Sequence, residues 1–277
     1  MQTKPMAVSE ARKMLRAMGV NGLLSPSDDN PKLAKSLKIK VMSAPLHLAP
    51  ARLSGYQVCP KASQGCIAAC LNTAGNPAYA KGKARARLAR TKAYFQMRDA
   101  FLLVLCAEIA RHVKRARDAR MRCAVRLNAT SDIRWESVPV VWRGRVYANV
   151  MAAFPRVQFY DYTAIANRKH LPTNYHLTFS LKENNDADAL QAYRNGMNIA
   201  VVMDVMRTKP LPHAWTLQGV VIPVIDGDVH DYRPADGRGI VGLRAKGKAR
   251  TDKSGFVRSR GNYSLMASLS NALLIRM

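Results

Sequence analysis

Acidic residues are scarce in this sequence. Eighteen aspartates and glutamates stand against 44 lysines and arginines, which gives a formal net charge of +26. A solvated surface needs charge but does not need this asymmetry, so the composition indicates a polyanionic partner. DNA or RNA fits best, because a basic surface releases condensed counterions from nucleic acid and gains affinity from that release. The alternative is a basic surface that only keeps the protein in solution.

Long hydrophobic runs are missing as well. The longest, at residues 100–110 and 198–205, are too short to span a bilayer. Charged residues from Lys4 to Arg16 interrupt the apolar stretch that a signal peptide would need. Hydrophobic residues still make up 48% of the chain, which is enough for a globular core. We therefore expect a soluble cytoplasmic protein that does not bind membranes.

Cysteines are few and odd in number. There are five, and without a signal peptide an odd count argues against a disulfide framework. Cys106 and Cys123 stand in apolar surroundings and are predicted to be core thiols. The other three share one short segment, Cys59-Pro-Lys-Ala-Ser-Gln-Gly-Cys66-Ile-Ala-Ala-Cys70.

This three-cysteine segment is the main candidate for a metal site. Thiolates are soft ligands that suit an iron–sulfur cluster or zinc. Structural zinc normally takes four protein ligands, and His47 is the candidate for a fourth. Three thiols suit a four-iron cluster with one iron left open, although the usual cluster has four cysteine ligands. We predict that Cys59, Cys66 and Cys70 hold a [4Fe-4S] cluster; zinc and the absence of a metal are the alternatives.

Short apolar strands alternate with helices, which predicts an α/β fold with a mainly parallel sheet and flanking helices. Strands are predicted at residues 38–47, 122–127, 157–160, 176–180, 199–203, 220–225 and 240–243. Helices are predicted at residues 9–18, 81–117, 146–153 and 187–195. Polar residues follow successive strands, where βα barrels place their chemistry, so a partial (βα) barrel is expected. The predicted organisation is a helical extension at 1–38 and a single domain at 39–277, with the cysteine loop at 49–79.

Two aspartates at strand ends are candidate catalytic residues. Asp132 could bind a substrate amine, a ribose hydroxyl or a metal, or it could cap a short helix. Asp161 lies between two tyrosines, a pattern typical of hydrogen-bonding or base-stacking sites, although one tyrosine is expected in the core. Asp226 and Asp228 form a weaker candidate for a divalent cation, for which an acidic turn is the alternative.

Basic residues cluster directly after the cysteine loop, at the start of a predicted helix. Cations are disfavoured at a helix N-terminus, so phosphate contact is the simplest reason for their presence. A second basic cluster lies near the last predicted strand. No helix-turn-helix, zinc-finger or RNA-recognition signature is present, so contact independent of base sequence is expected. The candidate nucleic-acid residues are Lys81, Lys83, Arg85, Arg87, Arg90, Lys246 and Lys248.

The three-cysteine loop after the first strand of a partial βα barrel resembles the layout of radical S-adenosylmethionine (SAM) enzymes. More specifically, the chain is similar to a family of uncharacterised phage gene products with a radical-SAM-like domain. The similarity covers residues 59–247 and includes the cysteine loop and the stretches Arg126-Leu-Asn-Ala-Thr-Ser-Asp132 and Val157-Gln-Phe-Tyr-Asp-Tyr-Thr163. It implies a phage protein in the host cytoplasm, whose open iron would bind SAM and, on reduction, yield an adenosyl radical.

Radical SAM enzymes often hold the SAM amine with a Gly-Gly-Glu segment after the second strand. This chain has Asn128-Ala-Thr-Ser-Asp132 at that place, so the resemblance implies that Asn128, Thr130 and Asp132 contact the cofactor. Two hypotheses follow. The chain is a radical-SAM-like enzyme acting on nucleic acid or a nucleotide, or it is a non-enzymatic iron–sulfur or zinc protein that binds DNA or RNA.

Overall fold

The computed structural model describes residues 6–27, 31–70 and 81–259. The last part of the predicted cysteine loop, 71–79, lies outside these residues. The helices are α1 (Val8–Ala17), α2 (Pro31–Leu37), α3 (Gln64–Ala68), α4 (Lys81–Gln96), α5 (Arg98–Asp118), α6 (Val150–Ala153) and α7 (Asp186–Arg194). The strands are β1 (Val41–Pro45), β2 (Arg122–Arg126), β3 (Val140–Trp142), β4 (Arg145–Tyr147), β5 (Gln158–Thr163), β6 (Tyr175–Ser180), β7 (Asn198–Met203), β8 (Ala214–Leu217), β9 (Val220–Asp226) and β10 (Ile240–Arg244).

Eight strands form one sheet in the order β1-β2-β5-β6-β7-β10-β9-β8. The first five lie side by side in chain order and pair in parallel. β10 is parallel to both β7 and β9, and only β8 at the far edge is antiparallel. The predicted α/β fold with a mainly parallel sheet flanked by helices is therefore confirmed.

The two faces of the sheet have different surroundings, because successive residues of a strand point to opposite sides. Phe159 and Leu177 lie on the face that packs against α5, where Phe101 joins the main hydrophobic cluster. Tyr160 lies on the other face, where Tyr232 stacks on it edge-to-face with ring centroids 5.5 Å apart. The segment around Tyr232 therefore covers the side of the sheet opposite α5.

Helix α1 packs into the main core, since Ala11 and Leu15 are fully buried members of the same cluster as α5. The predicted N-terminal extension thus contributes core side chains. None of the helices in the described part of the chain is long and apolar enough to cross a membrane.

Two helix predictions were wrong in detail. The predicted helix at 81–117 is divided at Met97, whose φ of −134° and ψ of 51° leave the helical path. The predicted helix at 146–153 starts late because Val146 pairs with Val141 in a hairpin. Arg143 and Gly144 have positive φ angles of 51° and 75°, which suit a tight two-residue hairpin turn.

Candidate metal centre and nucleic-acid interface

The cysteine loop lies at the carboxyl-terminal edge of the parallel sheet, directly after β1. Because β1, β2, β5 and β6 run in one direction, the residues that follow them meet at this edge. After β2, the backbone NH of Asp132 donates to the carbonyl of Val58 at 2.7 Å. After β6, the ammonium group of Lys182 donates to the carbonyl of Lys61. The loop is therefore held by the ends of two other strands.

Cys59 sits where the loop meets the segment after β2. Its sulfur accepts a hydrogen bond from the backbone NH of Ala51 at 3.4 Å, and lies 3.9 Å from the carbonyl oxygen of Thr130. Burial raises the pKa of the Cys59 thiol to about 11. Without a metal this group is a protonated thiol at neutral pH, so it is a poor free nucleophile, and metal binding would have to displace its proton.

Cys66 lies on the short helix α3, which Ser63 caps by accepting from the Cys66 NH at 3.3 Å. Glu183, just after β6, binds the start of this helix twice. It accepts from the Ser63 hydroxyl at 2.7 Å and from the Gly65 NH at 2.8 Å. Burial raises the pKa of Cys66 to about 12, and the nearby Lys182 ammonium acts against that rise.

Gly65 is required by the close packing around α3. A Cβ at this position would lie 2.2 Å from the hydroxyl of Ser254, 2.9 Å from the Glu183 carboxylate and 2.9 Å from the Cβ of Phe256. The segment that carries Ser254 and Phe256 is fixed by Arg258, whose backbone bridges to Met203 of β7 and whose guanidinium pairs with Asp186 at the start of α7, at 2.8 Å. The cysteine helix is therefore enclosed from two sides.

The three loop thiols lie within electrostatic reach of one another. Charge on Cys70 raises the pKa of both Cys59 and Cys66, and charge on Cys59 raises that of Cys66. In the described ranges, no three His, Cys, Asp or Glu side chains converge where a single ion would bind. A four-iron cluster does not need such convergence, because each thiolate binds a different iron atom. The three thiols are soft donors, the ligand type that such a cluster binds.

The other two cysteines stand apart from this group. Cys106 is completely buried in α5, and Cys123 is half-buried in β2. Burial raises the pKa of each to about 12. These positions agree with the predicted role of core thiols.

His47 follows β1 and lies among cations. Burial and then the charges of Arg87 and Arg126 lower its pKa to about 3, so the imidazole is neutral at physiological pH. Burial lowers the pKa of Arg87, and charge on Cys70 acts in the opposite direction. The Arg87 guanidinium therefore lies near the third thiol as well. A neutral imidazole can ligate a metal, so His47 retains the chemistry of the predicted fourth ligand.

The residues predicted to contact a cofactor, Asn128, Thr130 and Asp132, lie together after β2. The Asn128 amide oxygen accepts from Ser131, Ile133 and Trp135, and its amide NH₂ donates to the Ile133 carbonyl. The Thr130 hydroxyl donates to the Leu48 carbonyl at 2.6 Å. These side chains fold the turn after β2 and tie it to the start of the cysteine loop.

Asp132 belongs to a buried ionic group that sequence reasoning did not identify. One carboxylate oxygen accepts from the Ala164 NH at 2.8 Å and the other lies 3.6 Å from Arg168. The guanidinium of Arg168 is inaccessible to solvent and also pairs with Glu136 through two nitrogens. The capping role considered for Asp132 is wrong, since the adjacent 3₁₀ helix Trp135–Ser137 has no side-chain cap.

Asp161 lies on the helix-facing side of the sheet and is completely buried. It accepts from the Asn128 NH at 2.6 Å and from the Tyr175 hydroxyl at 2.8 Å. Burial raises the pKa of the carboxyl to about 7, although these hydrogen bonds and the charge of Arg126 act in the opposite direction. Asp161 joins β5, β6 and the turn after β2 at a point away from solvent.

We expect the raised pKa of Asp161 to make stability fall as the pH rises from about 4 to 7. In that window the folded state keeps a proton that the unfolded chain, with a pKa near 3.9, has lost. Asp161→Asn removes this pH dependence of stability. The unfolding free energy of the variant minus that of the wild type should therefore increase between pH 5 and pH 8. Urea unfolding at several pH values measures it, with Asp188→Asn on the exposed face of α7 as the control. Parallel profiles for Asp161→Asn and wild type would contradict the assignment.

The opposite face of β5 and β6 carries a group of polar side chains. Tyr162 and Thr178 are register partners, and His176 is two residues before Thr178 on the same face. The Tyr162 hydroxyl, His176 Nε2 and Thr178 hydroxyl are buried and have no hydrogen-bond partner among the described residues. Arg126 lies 4.8 Å from the centre of the Tyr162 ring. Because unpaired buried polar atoms are costly, this face suits water or a polar ligand.

Comparison with known proteins places the chain in a family. The family model described as gene product 88 matches residues 18–260. The chain belongs to this phage gene product family. No curated protein and no solved structure matches the chain.

In this gene product 88 family member, α4 carries most of the predicted nucleic-acid residues. The helix contains no acidic residue, and Lys81, Lys83 and Arg85 in its first turns are exposed. Arg87 and Arg90 are half-buried, and Arg90 donates to the carbonyl of Gly22 at 2.7 Å. The first three cations are therefore the ones accessible to a large polyanion.

The second basic cluster is partly neutralised. Lys246 pairs with Asp228 at 2.6 Å, while Lys248 is exposed. Arg244 binds both Asp226 and Asp228, at 3.0 Å and 3.2 Å. Cations thus occupy the acidic turn that was considered as a site for a divalent metal.

Sequence reasoning missed the residues that position the cysteine loop, notably Lys182, Glu183 and Arg168. Lys182 and Glu183 do belong to a polar cluster directly after a strand, which is the signal by which they could have been found. Arg168 had no such signal, because its partners Asp132 and Glu136 lie more than thirty residues earlier in the chain.

Proposed function

We propose that this chain is an iron–sulfur protein of the radical-SAM-like type that acts on nucleic acid. Cys59, Cys66 and Cys70 would hold a [4Fe-4S] cluster with one open iron. The observation that carries the proposal is the position of these mutually interacting thiols. They follow the first strand of a sheet whose first five parallel strands lie in chain order, as in a partial (βα) barrel.

The chain's own residues have distinct tasks in this proposal. Glu183 and Lys182 hold the cysteine helix, and the turn after β2 holds Cys59. A bound cluster with SAM would supply a reductively formed adenosyl radical. The polar face with Tyr162, His176 and Thr178 would offer hydrogen bonds to SAM. The cations of α4 would hold the nucleic acid.

A second candidate is a nucleic-acid-binding protein with a structural or redox-sensing cluster. It is favoured by the hydrogen bonds of Asn128 and Thr130, whose side chains already serve the local turn. Adding SAM to the reduced protein distinguishes the candidates. The enzyme should change the electron paramagnetic resonance spectrum of the cluster and release methionine and 5′-deoxyadenosine. An unchanged spectrum and no product would support the second candidate.

Binding to nucleic acid should weaken as salt rises, because phosphate contacts release counterions. Replacing Lys81, Lys83 and Arg85 by glutamine should reduce the slope of log affinity against log salt by about one for each lost phosphate contact. Fluorescence anisotropy with random-sequence DNA and RNA measures the slope. The matched control replaces three exposed cations elsewhere, Lys13, Arg194 and Arg207. A flat salt response of the wild type would refute the nucleic-acid part of the proposal.

A further inference from the structure

An aromatic pair joins the last turn of α4 to the cysteine loop. Tyr56, in the loop before Cys59, stacks face-to-face on Phe95, with centroids 4.4 Å apart and planes 6° from parallel. The Gln96 amide donates to the Tyr56 hydroxyl at 2.9 Å. Both rings are only half-buried, so the stack is fixed in place and yet reaches the surface.

The surroundings of this pair are apolar and basic. Leu53, in the same loop as Tyr56, is 64% exposed. The Arg98 guanidinium lies 4.5 Å from the centre of the Tyr94 ring and 6.0 Å from that of Phe95. Among the described residues within four sequence positions of Tyr56 or Phe95, the exposed charged ones are Arg52, Lys92, Arg98 and Asp99.

A purely structural role explains only part of this arrangement. Stacking Tyr56 on Phe95 would fasten the loop to α4, but this does not require exposed rings, an exposed Leu53 or flanking cations. A half-exposed aromatic stack beside cations is what single-stranded nucleic acid binds, because every base has a face that can stack. The bases of a duplex are stacked on one another and offer no free face to Tyr56.

We propose that the surface formed by Arg52, Leu53, Tyr56, Lys92 and Phe95 binds unpaired nucleotides of a single-stranded nucleic acid. A base stacks on the Tyr56–Phe95 pair, and the phosphates on either side lie along the cations of α4. Tyr56 precedes Cys59 by three residues, so the bound strand passes beside the cysteine loop. The inference rests on the proposed nucleic-acid function and narrows its partner to unpaired strands.

The test compares a labelled single strand of about 15 nucleotides with the duplex of the same sequence, by fluorescence anisotropy. The wild type should bind the single strand about tenfold more tightly than the duplex. Tyr56→Leu and Phe95→Leu should each weaken single-strand binding roughly tenfold, which is within the range found for removing one base-stacking side chain. The slope against salt should not change, since no phosphate contact is lost. Tyr56→Phe keeps the ring and should bind like the wild type.

Iron content and unfolding free energy are measured for the same variants. These values distinguish a role in binding nucleic acid from a role in holding the cysteine loop. Unchanged values, together with weaker single-strand binding, support the inference. Equal binding of single strand and duplex by the wild type, or wild-type affinity in Tyr56→Leu, would overturn it while leaving salt-dependent binding intact. Equal losses for both ligands with reduced stability would also overturn it, in favour of a structural role. Failure of the wild type to bind either ligand would remove the proposed nucleic-acid function as well.

Discussion

Arg168→Met is expected to lower the free energy of unfolding by about 3–5 kcal/mol. The guanidinium is inaccessible to solvent and lies between two carboxylates, with two contacts to Glu136 and a 3.6 Å approach to Asp132. Removing it leaves both acids buried without their cation. Methionine keeps much of the side-chain length, so lost packing is a minor part of the effect. Urea unfolding measures the change.

The effect should depend on charge rather than on the loss of an arginine. Arg156→Met, at an exposed site before β5, should change the unfolding free energy by less than about 0.5 kcal/mol. The double variant Arg168→Met with Glu136→Leu should recover part of the loss, because one stranded carboxylate is gone. If Arg168→Met were as stable as Arg156→Met, the buried ionic group would not contribute to the free energy of unfolding.

Serine at Cys59, Cys66 or Cys70 is expected to abolish the cluster. A serine hydroxyl is a harder ligand than a thiolate and loses its proton far less readily. The loop has only three thiols, so no other cysteine in it can replace the one removed. Iron and sulfide bound after anaerobic reconstitution should fall to the level of protein that was never given iron. Visible absorbance and chemical analysis measure this loss.

The matched control for the cysteine variants is Cys123→Ser, a half-buried thiol in β2 outside the loop. It should retain the wild-type iron and sulfide content. If all four serine variants bound iron like the wild type, or all lost it equally, the loop would not be the cluster site. A circular dichroism spectrum for each variant confirms that it is folded.

The positions of the strands could be predicted because short apolar segments ended in polar clusters. All seven predicted strands are present, with bounds that differ by a few residues. The break in the helix at Met97 and the hairpin at Arg143 and Gly144 were not predicted. The backbone angles of one or two residues decide the structure at each place. Hydrophobic periodicity carries no information on such local dihedral angles.

The sequence predicted Cys59, Cys66 and Cys70 as candidate ligands, but it did not predict the residues that hold their loop. The structure shows this loop at the edge of the sheet, where the Asp132 NH donates to the Val58 carbonyl. The interactions of Glu183 with α3 join residues about 120 positions apart, so they depend on the assembled sheet. Asp161 was a candidate for catalysis because tyrosines flank it. Its burial depends on which face of β5 it occupies, and only the packing of α5 against that face shows this.

Whether the cysteine loop holds an iron–sulfur cluster is tested by measuring iron, acid-labile sulfide and zinc per chain in protein purified without oxygen, together with its Mössbauer spectrum. We expect about four irons and four sulfides per chain, with one iron distinct from the three bound by cysteine. A colourless protein that lacks iron and carries one zinc ion would contradict this expectation.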